Sequence, residues 1–252
     1  MHGVLIDLSG TIHRGSAVIP GAPQAIRLLR EAGVPFRFVT NTSRKTRQML
    51  HADLERFGIE VPAEHIFTAP SAVRRHLLAH RLSPYLLIHP NLEAEFSDLP
   101  QGEPNAVVVA LAQHAFTYEA LNRAYRLLQA GAPLLATGRT RHFQGEDGLD
   151  LDAGPFVALL EYAADTRALV LGKPSADFFL EAAGELGCRP EETVMIGDDA
   201  ASDVGGALAA GLKGILVRTG KYRPGDEARI GHEGATVVAD IGAAVEHLLA
   251  GR

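Results

Sequence analysis

Aspartates dominate the residues of this chain that could do chemistry. Asp7 ends the apolar run Val4, Leu5, Ile6, and Asp198, Asp199 and Asp203 follow a second apolar run, Thr193 to Ile196, within the segment GDDAASDVGGA. Acids gathered in a turn that opens a helix are unfavourable unless something positive offsets them. That can be the helix dipole itself or a cation, and hard carboxylate oxygens suit Mg²⁺. Asp7 taken alone is a nucleophile, a metal ligand or a cap for the segment after it. Two further places could handle an anion. Thr40 and Asn41 close a third apolar run, Val34 to Val39, with a hydroxyl and backbone N–H groups, read here as the N-terminus of a helix from Arg44 to Phe57. Lys173 follows a fourth run, Ala168 to Leu171, where an ammonium would neutralise a phosphate beside Asp7.

These residues need elements that bring them to one place. The apolar runs are too short for helices and read as strands buried on both faces of a parallel sheet. In open α/β sheets ligands bind outside the carboxyl ends of the strands, which is where each of these polar groups falls. Gly10 allows a sharp turn after Asp7, and Thr11 puts a hydroxyl beside it. Helices alternate with the strands: 21–32 places Ala25, Leu28, Leu29 and Ala32 on one face and stops at Gly33, and further helices are expected at 71–79, 175–187 and 241–249. From about Tyr85 to Tyr162 the chain carries its own strand and helix set, enough for a second small α/β domain inserted into the first. Its Gly- and charge-rich loop, Thr137 to Gly154, holds Arg139, Arg141 and His142, which could select an anionic substrate or simply face solvent.

Composition narrows the alternatives. At 252 residues the chain fits one large α/β domain or a core domain with an insert. A net charge of -6 with no basic face argues against a nucleic-acid partner. One cysteine, Cys188, excludes an internal disulfide and a multi-cysteine zinc site, as expected in a reducing compartment. No apolar run approaches the roughly 20 residues needed to span a bilayer, and the chain opens without a basic region and signal core. A cytoplasmic protein with no membrane partner is expected.

In order along the chain, strand-Asp-x-x-Gly-Thr, strand-Thr-Asn, Gly-Lys-Pro and Gly-Asp-Asp-x-x-x-Asp resemble the haloacid dehalogenase-like hydrolase superfamily. The long insert between the threonine and lysine motifs is similar to the type 2 cap of the branch that includes pyridoxal phosphate phosphatases. DLSGT, FVTNTS, DAGPFVALLEYA and VRTGKY narrow the resemblance to one subgroup, and it runs over essentially the whole chain. It implies a Rossmann-like parallel-sheet core at 1–79 and 166–252 with an inserted α/β cap at 80–165. It also implies a Mg²⁺-dependent phosphatase acting on a small phosphorylated substrate through an aspartyl-phosphate on Asp7. Thr40, the Asn41 amide and the main chain of Leu8 and Ser9 would hold the phosphate, and Lys173 would screen it from the nucleophile. Asp7, the Ser9 carbonyl and Asp198 would bind the metal, with Asp203 and Asp199 orienting metal-bound water. Related caps often pair, so apolar cap surface such as Ala106 to Leu111 could form a homodimer, although buried core is the simpler reading of that run.

One position departs from the pattern. Typical phosphatases of the superfamily carry a second aspartate two residues after the nucleophile, as acid for the leaving group and base for water; here it is Ser9. A hydroxyl has no useful acidity near neutral pH, and general acid–base help is worth about 10² to 10⁴ in rate. The expected substrates therefore carry good leaving groups, as pyrophosphate and phosphoramidates such as phosphohistidine or phospholysine do. The alternatives are a slow or non-catalytic phosphate-sensing or partner-binding protein, and a hydrolytic dehalogenase, which needs no Mg²⁺.

Overall fold

The computed structural model describes residues 3–100, 102–144, 147–230 and 235–251. The strands are β1 (Gly3–Asp7), β2 (His13–Arg14), β3 (Ala17–Val18), β4 (Phe36–Thr40), β5 (Ile66–Thr68), β6 (Pro84–Leu87), β7 (Ala106–Val109), β8 (Leu134–Ala136), β9 (His142–Gln144), β10 (Leu149–Leu151), β11 (Leu169–Val170), β12 (Thr193–Gly197), β13 (Lys213–Val217) and β14 (Ala235–Val238). The helices are α1 (Ala22–Glu31), α2 (Arg47–Arg56), α3 (Ala69–Ala79), α4 (Tyr118–Gln129), α5 (Ala153–Ala164), α6 (Ala176–Glu185), α7 (Gly206–Ala209) and α8 (Ile241–Ala250). The chain divides into two compact units. The first takes residues 1–40, 47–67 and 173–252, the second 41–46 and 68–172.

The first unit is built on a six-stranded sheet in the order β14-β13-β12-β1-β4-β5. Every residue of β1 and β12 is buried, which is why both read as unbroken apolar runs. β1 pairs in parallel with β12 on one side and β4 on the other, with Ile6 opposite Ile196 and Asp7 opposite Val39. That register brings the carboxyl ends of three neighbouring strands to one edge. Asp7 and Thr40 stand there as the last residues of their strands, and Asp198 as the residue that follows Gly197, the last of β12. Ile6, Phe38, Ile196, Leu29 of α1 and Val245 of α8 belong to the buried cluster beneath them.

The second unit has its own sheet, β11-β8-β7-β6, with all three pairings parallel. Val107, Val109, Leu134, Val157 and Leu160 fill its core, and Phe116 stacks on Phe156 with ring centroids 3.7 Å apart. Thr68 caps α3 by accepting from the Ser71 N–H, and Thr117 and Asp152 cap α4 and α5 in the same manner.

Several expectations change in the structure. The run at 168–171, read as the core alternation resuming, pairs as β11 with β8 and so completes the second sheet. The insert, expected at 80–165, has a counterpart unit that also takes α3, β11 and the short segment 41–46. Ala106 to Leu111, for which buried core is the simpler reading than a pairing surface, is buried in the second unit. The loop at 137–154 contains the antiparallel hairpin β9–β10; its Gly145 and Glu146 lie outside the described residues. Among the described residues no helix is long and apolar enough to cross a membrane.

Candidate active site

Asp7 closes β1 with its side chain almost fully buried. The chain then turns at once, as Ile12 and His13 both donate to the Leu8 carbonyl and Gly10 donates to the carbonyl of His13. Gly10 sits at φ +100°, and a side chain there would overlap the Asp198 carboxylate. Only glycine satisfies both demands, backbone and space. Leu8 points into the core while Ser9 is exposed, so these adjacent residues share the turn with opposite orientations.

Carboxylate oxygens of Asp7, Asp198 and Asp203 all lie within 4.8 Å of one another, and all three residues are buried. One ammonium stands among them. Lys173, itself buried, places Nζ 2.5 Å from Oδ1 of Asp7 and 2.7 Å from Oδ1 of Asp203. Burial disfavours its charged form, but the two carboxylates more than offset this and its pKa rises. The carboxylates feel the same crowding with opposite sign. Burial and then the charges of Asp7 and Asp203 push Asp198 up to about 8, and burial raises Asp203 to about 6 against the pull of Lys173. Three buried acids share one ammonium, so their charged forms are disfavoured unless a further cation joins them.

The oxygens differ in what already holds them. Asp203 is engaged at both, Oδ1 by Lys173 and Oδ2 by the backbone N–H of Asp199 at 3.1 Å. Asp198 accepts the Lys221 N–H at Oδ2, 2.6 Å away. Oδ2 of Asp7 is buried with no hydrogen-bond partner among the described residues. A buried carboxylate oxygen left unpaired costs free energy unless a ligand completes it, and hard oxygens at this spacing fit a divalent cation. Asp199 stands apart from the cluster. Its Oδ1 caps the turn at Ala200–Gly205 by accepting from Ala201 and Ser202, its Oδ2 faces Lys221 Nζ at 3.2 Å, and these donors hold its pKa down despite burial.

Thr40 is buried at the end of β4, one residue beyond Val39, the register partner of Asp7. It does not stand at a helix N-terminus as expected, because α2 begins only at Arg47. Asn41 through Thr46 leave the first unit, and the Ser43 hydroxyl accepts from the Leu111 N–H at 3.3 Å within the second. Arg139, considered as a substrate selector, is committed instead to Glu161, with both terminal nitrogens 2.7 Å from its carboxylate oxygens. Arg141 is exposed, and its carbonyl accepts from Asp152; His142 is exposed in β9. Thr219 and Lys221, to which the motifs assign no role, also adjoin the cluster through the Gly10 carbonyl and the Asp198 carboxylate. The signal for them is a hydroxyl, a glycine and a lysine just past the apolar run of β13, at the same sheet edge as Asp7 and Asp198.

Comparison with known proteins places these features in a family. Residues 4–99 match the family model described as haloacid dehalogenase-like hydrolase, and residues 170–244 match a second model described as HAD-hydrolase-like. Over 249 residues the chain is 46% identical to haloacid dehalogenase-like hydrolase domain-containing protein 2 of Bos taurus, spanning 99% of this chain and 96% of the relative. It is 41% identical over 258 residues to phospholysine phosphohistidine inorganic pyrophosphate phosphatase of Xenopus laevis, spanning 99% and 95%. Among solved structures it is similar to 4-nitrophenylphosphatase from Thermotoga maritima, with a TM-score of 0.89 at 27% identity over 98% of this chain and 97% of that one.

Proposed function

The chain belongs to the haloacid dehalogenase-like hydrolase family, and from that premise we propose that it is a Mg²⁺-dependent phosphatase whose nucleophile is Asp7. The observation that carries the reading is the division of labour within one carboxylate: Oδ1 of Asp7 is held by Lys173, while Oδ2 is buried and unpartnered at the edge of the sheet. Relatives named as phosphatases of pyrophosphate, phospholysine and phosphohistidine, and of nitrophenyl phosphate, support the reaction class.

In this reading an Asp7 oxygen attacks phosphorus, and the bond from phosphorus to the leaving group breaks with its electron pair going to that group. Water then attacks the aspartyl-phosphate, the bond between phosphorus and the Asp7 oxygen breaks, and phosphate and the free carboxylate are restored. Asp7, Asp198 and the Ser9 carbonyl would hold the cation. When bound, the metal neutralises charge that develops on the phosphoryl oxygens. Asp203 has both oxygens engaged within the protein, which suits it to orientation rather than ligation, and Asp199 stands further out in the same role. Lys173 holds Asp7 aimed and screens it from the incoming phosphate. Thr40, the Asn41 amide and the Leu8 and Ser9 main chain complete the proposed phosphate cradle.

Ser9 refines the substrate class. It is exposed beside the buried Asp7 and has no useful acidity at neutral pH, so leaving groups that need little protonation by the enzyme are favoured. These are pyrophosphate and N-phosphorylated amines or imidazoles. The same residue favours a second reading, a phosphate-binding protein of slow turnover. The two separate on phosphate release from pyrophosphate, a phosphoramidate and an aryl phosphate, with Mg²⁺ or chelator and with Asp7→Asn as control. Metal-dependent turnover favouring the first two substrates and lost in Asp7→Asn is expected. Phosphate binding with no turnover would establish the second reading, and equal activity on sugar phosphates would sink the leaving-group argument. A cytoplasmic site of action is part of the same proposal.

A further inference from the structure

Three consecutive residues outside the proposed catalytic set fasten the carboxylate cluster from one side. The Thr219 hydroxyl donates to the Gly10 carbonyl at 2.5 Å, and the Lys221 backbone N–H donates to Oδ2 of Asp198 at 2.6 Å. Between them Gly220 lies at φ +52°, so close that a Cβ would overlap the Asp198 carboxylate and stand 2.6 Å from the Gly10 Cα. Both anchor points matter to a cation. Gly10 follows Ser9 directly, so its carbonyl peptide fixes the turn that presents the Ser9 carbonyl, and Asp198 is the carboxylate ligand supplied by β12. The segment leaves β13, which lies two strands from β1 with β12 between, so it spans the end of β12 to reach the turn after β1.

We propose that Thr219, Gly220 and Lys221 form a positioning strap that sets the relative placement of the Ser9–Gly10 turn and Asp198 for divalent cation binding. The proposal rests on the reading of Asp7, Ser9 and Asp198 as ligands. Asp198 is buried against two other acids, and left alone its carboxylate would turn away from them. A cationic partner would prevent that but compete with the metal for the same charge. A peptide N–H instead fixes one oxygen without placing a competing positive charge beside it. The missing side chain of Gly220 and the short reach of the Thr219 hydroxyl let the strap lie directly on the cluster. Thr219, Gly220 and Lys221 act through the ligands and touch no reacting atom.

Mn²⁺ binding to the full chain, followed by paramagnetic resonance of the free ion and by calorimetry, tests this without recourse to turnover. Partners that orient a metal ligand typically cost about 10- to 100-fold in affinity when removed. Thr219→Val, which keeps the shape and loses the donor, should fall in that range with the melting temperature of the metal-free protein little changed. Thr219→Ser, which keeps the hydroxyl, should bind as the unaltered protein does. Gly220→Ala should weaken binding at least as much; where it fails to fold, the threonine pair carries the test. Unaltered affinity in Thr219→Val, beside loss of binding in Asp198→Asn, would overturn the strap and leave the ligand assignment standing. No Mn²⁺ binding by the unaltered protein would overturn both.

Discussion

Lys173 stands between Asp7 and Asp203 and is shared by both, with Nζ 2.5 Å from one carboxylate and 2.7 Å from the other. The proposed nucleophile and the acid proposed to orient water are thus aimed by one buried ammonium. Replacing it with an apolar side chain leaves three buried carboxylates without their nearest counter-charge. Removing one partner of a buried charge cluster costs about 3–5 kcal/mol. Urea unfolding of metal-free Lys173→Met should show a loss of that order, with Mg²⁺ recovering part of it because the cation relieves the same repulsion. Equal stability with and without the lysine would mean that the acids are neutral in the folded protein.

Restoring the acid at Ser9 should move specificity rather than raise all rates. Ser9→Asp supplies the proton donor that an alkoxide leaving group needs, so hydrolysis of sugar phosphates should rise by up to about 10²- to 10⁴-fold. Turnover of pyrophosphate or a phosphoramidate should change far less. The ratio of kcat/KM between an alkyl ester and a phosphoramidate is the measurement. An unchanged ratio would show that the serine does not limit ester cleavage.

Gly197, the last residue of β12, allows Asp203 to pack directly over it, and a Cβ there would overlap the Asp203 carboxylate. Gly197→Ala should therefore damage activity more than stability. A displacement near 1 Å in a catalytic group can cost about 10²-fold, whereas overpacking a buried site costs about 1–3 kcal/mol. Steady-state kinetics beside thermal unfolding distinguishes this outcome from simple loss of fold.

The pair Arg139–Glu161 makes part of the second unit's stability depend on acid. Burial pushes the Glu161 carboxyl up, but the Arg139 fork and the Ala168 N–H at 2.9 Å hold it below its ordinary 4.5. A carboxyl lowered on folding contributes its full stabilisation above the unfolded value and loses it as pH falls through the lower folded one. Glu161→Gln should thus cost about 1.5–3 kcal/mol at neutral pH, the range for hydrogen bonds to charged groups. The deficit should shrink as pH falls below 4.5. Urea titrations of both proteins at pH 7 and in the acid range check the sign.

Much of the site was legible because one rule suffices for it: a polar residue just past a short buried apolar run lies at the carboxyl edge of the sheet. Asp7, Thr40 and Asp198 follow that rule, and their neighbours in the structure are set by strand register. Pairing itself is not written in any one run. β11 is as apolar as a core strand, and only the tertiary structure assigns it to β8. The hairpin β9–β10 was hidden because its strands are three residues each and exposed along β10, with no alternation to detect. Segment 41–46 carries residues typical of a helix cap, yet it serves the second unit, and α2 starts later. The strap at Thr219–Lys221 acts through a backbone N–H and an absent side chain, neither of which a residue-type pattern reports.

The sheet order also sets a timetable for the growing chain. β4 is made soon after β1, but β12, which covers the other side of β1, follows the whole second unit: Val4 must wait for Val194. During synthesis the strand that carries Asp7 has one flank unpaired while the entire second unit is being produced, and non-local pairings of this kind form slowly. Asp7 and Asp198 therefore meet only after the second unit has been synthesised. A chain truncated before β12 would hold Asp7 with an open strand edge beside it and without the carboxylates of Asp198 and Asp203 that complete the buried cluster.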